Sequence, residues 1–194
     1  MSIQVVTPPA VEVVTLSEAK SHLRVPHNAD DAYITRTIIA AREQCEHELN
    51  RAIGEQSMLL LLDEFPTNVY GIDEAIELPI TPVVGIDAVR YYDDAGVLTV
   101  VDPSNYAVDT GQAPAWLLAA NDFAWPVTDD RANAVQIEYT AGWAPVACPA
   151  SIKQWMLMMI GSMYENREQT SSAAAAATLG FVARMIDRYR VHVL

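Results

Sequence analysis

Two cysteines in 194 residues, Cys45 and Cys148, stand far apart with no CxxC and no framework spacing. They exclude a disulfide scaffold and read as small buried hydrophobes of a reducing compartment. Long hydrophobic runs are missing too. Spanning a bilayer takes roughly 18–20 apolar residues, and the best run here, Trp155 to Ile160, is far shorter. The opening MSIQVVTPPAVEVV has no basic region and no small-residue cleavage site, so no secretory signal is expected. Basic residues are scarce in the middle of the chain. Residues 55–140 hold fifteen acids against Arg90 and Arg131 alone, which accounts for the whole net charge of −13. The flanks nearly balance, with seven acids to five bases in 1–54 and three to five in 141–194. Holding nucleic acid by phosphate neutralisation needs clustered Lys and Arg, which this distribution lacks.

Catalytic signatures are equally thin. There is no GxxxxGK[ST], no GxGxxG, no HExxH and no GxSxG around any serine. His22, His27, His47 and His192 make no ligand spacing with one another, and Cys45 and His47, two apart on a helix, face different directions. Asp30 and Asp31 open a helix, where capping and the dipole account for them. Asp93 and Asp94 lie in a turn. No enzyme, metal or cofactor is expected from these residues.

What the chain does have is order in three parts. In the first, Thr15 stands three residues before Glu18, a capping-box pattern, and predicts a short helix over 15–24 ahead of Pro26. A long helix is predicted over 30–53. Ile34, Ile38, Ala41, Cys45, Leu49 and Ala52 step by 4, 3, 4, 4 and 3, one apolar stripe, with Gly54 beyond. The second part, roughly 55–142, reads as short strands: QSMLLLLDEF, then VVGIDAVRYY and VLTVV around the turn Asp94-Ala95-Gly96, then NYAVD, AWLLA and the alternating NAVQIEYTAGW. Residues 66–77 stay open. The third part is a helix over 149–167 opened by Pro149. Ile152, Met156, Met159 and Met163 form its stripe, and Trp155, Leu157, Met158 and Ile160 extend the apolar surface round most of the circumference. Such a helix is central to a core or clamped between partners. A Ser/Ala spacer, 169–180, leads to a last amphipathic segment, 181–194, with Val182, Met185, Ile186 and Tyr189 on one side. That segment is a docking element in form, or folds back on its own domain. The fold class expected is α+β: mainly an α-helical bundle with a small antiparallel β region inserted over 55–142, all within one domain of residues 1–168.

Four pieces in this order carry a resemblance. They are Asp30-Asp31-Ala32-Tyr33-Ile34 with Ala41-Arg42-Glu43, Tyr139-Thr140-Ala141-Gly142-Trp143, Pro149 through Tyr164-Glu165-Asn166-Arg167-Glu168, and Gly180-Phe181-Val182 through Tyr189-Arg190. The chain resembles the head-tail connector (adaptor) proteins of long-tailed double-stranded DNA phages, prophages and gene transfer agents. The resemblance implies a virion protein of the neck, assembled as a ring, usually twelvefold, beneath the portal protein at one capsid vertex. Such a ring extends the DNA channel and offers a surface to the next neck or tail protein. Under it, Trp155, Met156, Met159 and Met163 are the candidate subunit interface, with methionines suited to irregular contacts. Val182, Met185, Ile186 and Tyr189 are the candidate portal contact. Asp73, Glu74 and Glu77 are the candidate channel-facing acids, keeping passing DNA off the wall without binding it. The competing readings are a tail-terminator or head-closure subunit and, from another class, a small cytoplasmic acidic binding module or enzyme with a scattered site.

Overall fold

The structure, a computed structural model, describes residues 1–66, 75–167 and 184–191. Its contacts gather into two compact units, one of Met1–Ala10 with Glu55–Gly142 and one of Val11–Gly54 with Trp143–Leu194.

The second unit is helical. Helix α1 spans Leu16–Leu23, and the capping box read from Thr15 and Glu18 is present in both directions. Arg24, at φ 57°, turns the chain out of the helix. Helix α2 spans Asp31–Leu49 and ends earlier than its apolar spacing predicts. Asn50 takes the left-handed conformation, φ 51°, and its N–H closes on the carbonyl of Glu46. Asparagine is among the few residues that tolerate this geometry, so it stops the helix although Ala52 continues the stripe. All six stripe residues are buried, Ala52 from just beyond the end. Helix α3 spans Ala150–Glu165 and buries Ile152, Trp155, Met156, Met159 and Ile160. Ile152, Met156 and Ile160 recur every fourth residue with no exposed surface. Burial of this kind stabilises by about 1.5–3 kcal/mol per side chain. Together with Val13, Val14, Ala19 and Ile186 they form one core. Arg42, also buried, is held by Glu12 at 3.1 Å and Glu46 at 2.7 Å, so its charge is not left alone in that core.

The first unit is all β. Strands β1 (Ser2–Thr7), β2 (Gln56–Leu62), β4 (Val83–Tyr92), β5 (Leu98–Val100) and β8 (Val135–Ala141) make a five-stranded sheet in the order β1-β2-β8-β4-β5. Each neighbouring pair is antiparallel. The alternation read in NAVQIEYTAGW is realised in the central strand β8, where Val135, Ile137, Tyr139 and Ala141 face inward against Met58 and Leu60 of β2. The β4–β5 turn is tied by Asp93, whose carboxylate accepts the N–H groups of Ala95 and Val97, while Gly96 supplies φ 71°. Strands β3 (Ile76–Leu78), β6 (Tyr106–Asp109) and β7 (Ala115–Ala119) form a second antiparallel sheet in the order β3-β7-β6. Phe65 stacks on Trp125 at 4.8 Å and meets Tyr91 edge-on, pinning the loop that leads into β8.

The expected fold class is corrected in its balance. The chain is not mainly a helical bundle: the described residues form three α-helices and eight strands in two antiparallel sheets. The uncharged opening segment joins β2 as β1, and Ile76–Leu78, which overlaps the end of the stretch left open, adds β3. Both strands are short or lie at an edge, where strict apolar alternation is not required, so periodicity did not mark them. The spacer 169–180 lies outside the described residues.

Candidate assembly surfaces

Two of the sequence pieces quoted above meet in space. Asp30 precedes α2 and Tyr33 lies in its first turn, while Tyr164 and Arg167 close α3. The Tyr164 hydroxyl donates to Oδ2 of Asp30 at 2.5 Å, and the Tyr33 hydroxyl donates to the carbonyl of Met163 at 2.8 Å. Arg167 pairs with the other oxygen of Asp30 at 3.3 Å. Its guanidinium also lies 4.5 Å and 4.7 Å from the ring centres of Tyr33 and Tyr164. The two rings stand 6.1 Å apart. The hydrogen bond from Tyr164, then the charge of Arg167, holds the Asp30 carboxyl below its ordinary range. Asp30 makes no side-chain cap to α2, so its role is to join two helices rather than to cap one. Beside it Lys20 of α1 binds Asp31 at 2.6 Å and Asn28 at 2.7 Å. The cluster makes one clasp from three helices.

Of the four residues of α3 expected at a subunit interface, Trp155, Met156 and Met159 lie in the core of their own unit, exposed by 3%, 0% and 7%. Met163 is half-buried, as are Leu157 and Met158. Among the residues expected to dock on a portal, Val182 lies outside the described residues. Ile186 is in the helical core, with Met185 and Tyr189 half-buried against it. The segment 184–191 is bound at the end of α2 through its backbone. The N–H of Val191 donates to the Leu49 carbonyl at 2.9 Å, and the Asn50 side chain donates to the Val191 carbonyl at 3.0 Å. Arg51 donates to the Tyr189 carbonyl, and Arg190 pairs with Glu48 at 3.2 Å. Helix α2 ends in carbonyls without intrahelical partners, and Val191 supplies a donor for one of them. The fold-back alternative is what the described part of this segment adopts.

Of the acids expected on a channel wall, Asp73 and Glu74 lie outside the described residues, and Glu77 is half-buried on β3. The first unit carries all fifteen acids and both arginines of the strand-rich region, while the helical unit carries equal numbers of acids and bases. A cleft of about 630 Å³ gathers Asp63, Glu64, Asp129 and Asp130 beside Thr128, Arg131 and Ala132. The sequence does not show this grouping, because Asp63 and Asp129 are far apart in the chain; the pairs Asp63-Glu64 and Asp129-Asp130 are its local signs. Arg131 lies 3.9 Å from the Tyr92 ring centre, directed at an aromatic face. Among the described residues no three His, Cys, Asp or Glu are placed to hold a metal ion. Burial raises both cysteine thiols, Cys148 to about 11, which keeps them protonated and unreactive.

The described polar clusters join elements of the fold, and among the described residues no group is placed to hold a metal ion. Comparison with known proteins points to the class. The model of the phage gp6-like head-tail connector protein family matches residues 13–93, from the start of the helical unit through β4. Among solved structures, a chain from the neck of an empty gene transfer agent particle, computed with C6 symmetry, aligns at TM-score 0.79 and 25% identity. A chain from the virion of a native gene transfer agent particle aligns at 0.77 and 26%, and one from the native neck, computed with C12 symmetry, at 0.75 and 25%. Each alignment covers 100% of this chain and 98% of the other. No curated protein matches. The resemblance read from the quoted pieces therefore holds: the chain is similar to the phage head-tail connector proteins over residues 13–93 and to neck chains of gene transfer agent particles over its whole length.

Proposed function

We propose that this chain is a structural protein of a virion neck, a head-tail connector that forms a ring beneath the portal protein and carries the DNA channel on toward the tail. The observation that carries the reading is the full-length agreement with chains of gene transfer agent particles, which spans both units rather than one motif. In the finer reading the ring is a dodecamer in the particle. One face meets the portal, the other receives the next neck or tail protein, and no catalysis is involved. The half-buried Met163, Leu157 and Met158 are what α3 retains for a neighbouring subunit, and Met185 with Tyr189 is what the C-terminal segment retains for the portal. The acids of the β unit, Glu77 and the cleft group among them, keep DNA from adhering when they face the lumen, since like charge repels phosphate.

The test is quantitative mass spectrometry of particles purified from the source, comparing this chain with the portal subunit. A ratio near one to one is expected. Absence from particles would overturn the neck assignment and return attention to the acidic cleft as a binding site.

A further inference from the structure

The five-stranded sheet ends in two uncharged strands. Its unit holds fifteen acids, yet residues 1–10, which contain β1, have no charge, and neither does 97–101, which contains β5. Both are edge strands. Both display apolar side chains to solvent, Val5 and Val6 exposed by 53% and 51% on one edge and Leu98 and Val100 by 43% and 59% on the other. An edge presents unpaired N–H and C=O groups that recruit further strands, and proteins normally blunt it with charge, above all lysine. Here neither edge carries a charge, although the unit is strongly acidic.

We infer that the β1 edge of one subunit joins the β5 edge of the next, so that the sheet continues from copy to copy around the ring. This inference rests on the ring proposed above. The charge pattern selects a second copy as the occupant. A basic partner would be drawn to the carboxylates, whereas two copies each bearing −13 can approach closely only where charge is missing. The two edges are different surfaces, so their contact is head-to-tail and closes into a ring rather than a two-fold dimer. Because neighbouring strands alternate in direction through five positions, β1 and β5 run the same way, and the junction is a parallel one. It is also short, since β5 has three residues. A bulge at Val6, between Val5 and Thr7 in the pairing with β2, further limits the length of straight edge. Such a junction is weak alone and suits a ring that forms on a template.

The test uses the full chain in particles. Val5→Cys and Val100→Cys are introduced together and separately, and purified particles are treated with a short bismaleimide. The native cysteines are buried and stay silent. The double variant should give a ladder of cross-linked oligomers, and neither single variant should link to itself. A ring-incorporated double variant that gives no ladder overturns the edge junction and leaves the neck assignment standing. Dimers from Val5→Cys alone overturn it in favour of a two-fold contact. Loss of the unmodified chain from particles overturns both readings. As a second readout, Val5→Lys with Val100→Lys should keep the circular dichroism of the parent while lowering incorporation at least tenfold; unchanged incorporation counts against the junction.

Discussion

The Tyr164 hydroxyl and the Asp30 carboxylate, 2.5 Å apart, join the end of α3 to the start of α2. The carboxylate is held below its ordinary range in the folded chain, so its contribution to stability follows pH with a definite sign. It is fully present above the unfolded value, about 3.9, and is lost as pH falls through the lower folded value. Tyr164→Phe should therefore melt below the parent at pH 7, by about 3 °C or less for a chain of this size. The gap should begin to narrow at about pH 4 and shrink further as pH falls toward the lower folded value. Thermal melts of parent and variant between pH 3 and 7 check this, and a gap that does not change with pH would mean that the lost hydroxyl acts through packing instead.

Met156 and Met163 share a helical stripe, yet one is fully buried and the other only partly. Met156→Ala should cost about 2–5 kcal/mol, and Met156→Asp should prevent folding, because an unpaired charge enters the core. Met163→Ser should cost about 1 kcal/mol or less, in keeping with a half-exposed site. Urea unfolding followed by circular dichroism separates the two. An assembly defect in Met156→Asp is thus a folding defect, whereas one in Met163→Ser would report on a subunit contact.

Removing residues 184–194 takes Ile186 from the core and Val191 from the end of α2. The loss combines a buried side chain with a backbone hydrogen bond, about 2–4 kcal/mol together. Ile186→Ala alone should cost the lower part of that range, about 2 kcal/mol, because the hydrogen bond of Val191 is kept. Denaturant midpoints of the two variants measure these values. A truncated chain as stable as the parent would mean that the segment is lightly held and free to serve a partner.

Reversal of charge in the β unit should raise the chain's affinity for DNA. Asp129→Lys with Asp130→Lys should give salt-dependent retention on double-stranded DNA, the logarithm of binding falling with log salt by about 0.9 per phosphate neutralised. Glu77→Lys, half-buried on β3, should add less. Filter binding at several salt concentrations measures the slope. In particles the same reversals should slow DNA release if these residues line the channel, and unchanged ejection would put them on the outer surface.

Local rules explain most of what the sequence determined by itself. Thr15 with Glu18, the stripe of α2 and the alternation of Val135, Ile137 and Tyr139 each depend on residues within a few positions of one another, so α1, α2, β8 and the β4–β5 hairpin were legible. The end of α2 was not, because Asn50 stops the helix by a backbone conformation that its apolar spacing does not record. Edge strand β1 was missed because pairing with a distant β2, rather than alternation, makes it a strand. The same distance rule governs the surfaces. A helix apolar nearly all round declares that it is covered, but not by what, and only tertiary packing showed that Trp155, Met156 and Met159 are covered by their own unit. Likewise Asp30 and Tyr164 are separated by more than 130 residues, and nothing local distinguishes a helix-capping aspartate from one that clasps a second helix. Charge and periodicity are sums over neighbours in the chain, whereas burial and partnership are decided by which segments the fold brings together.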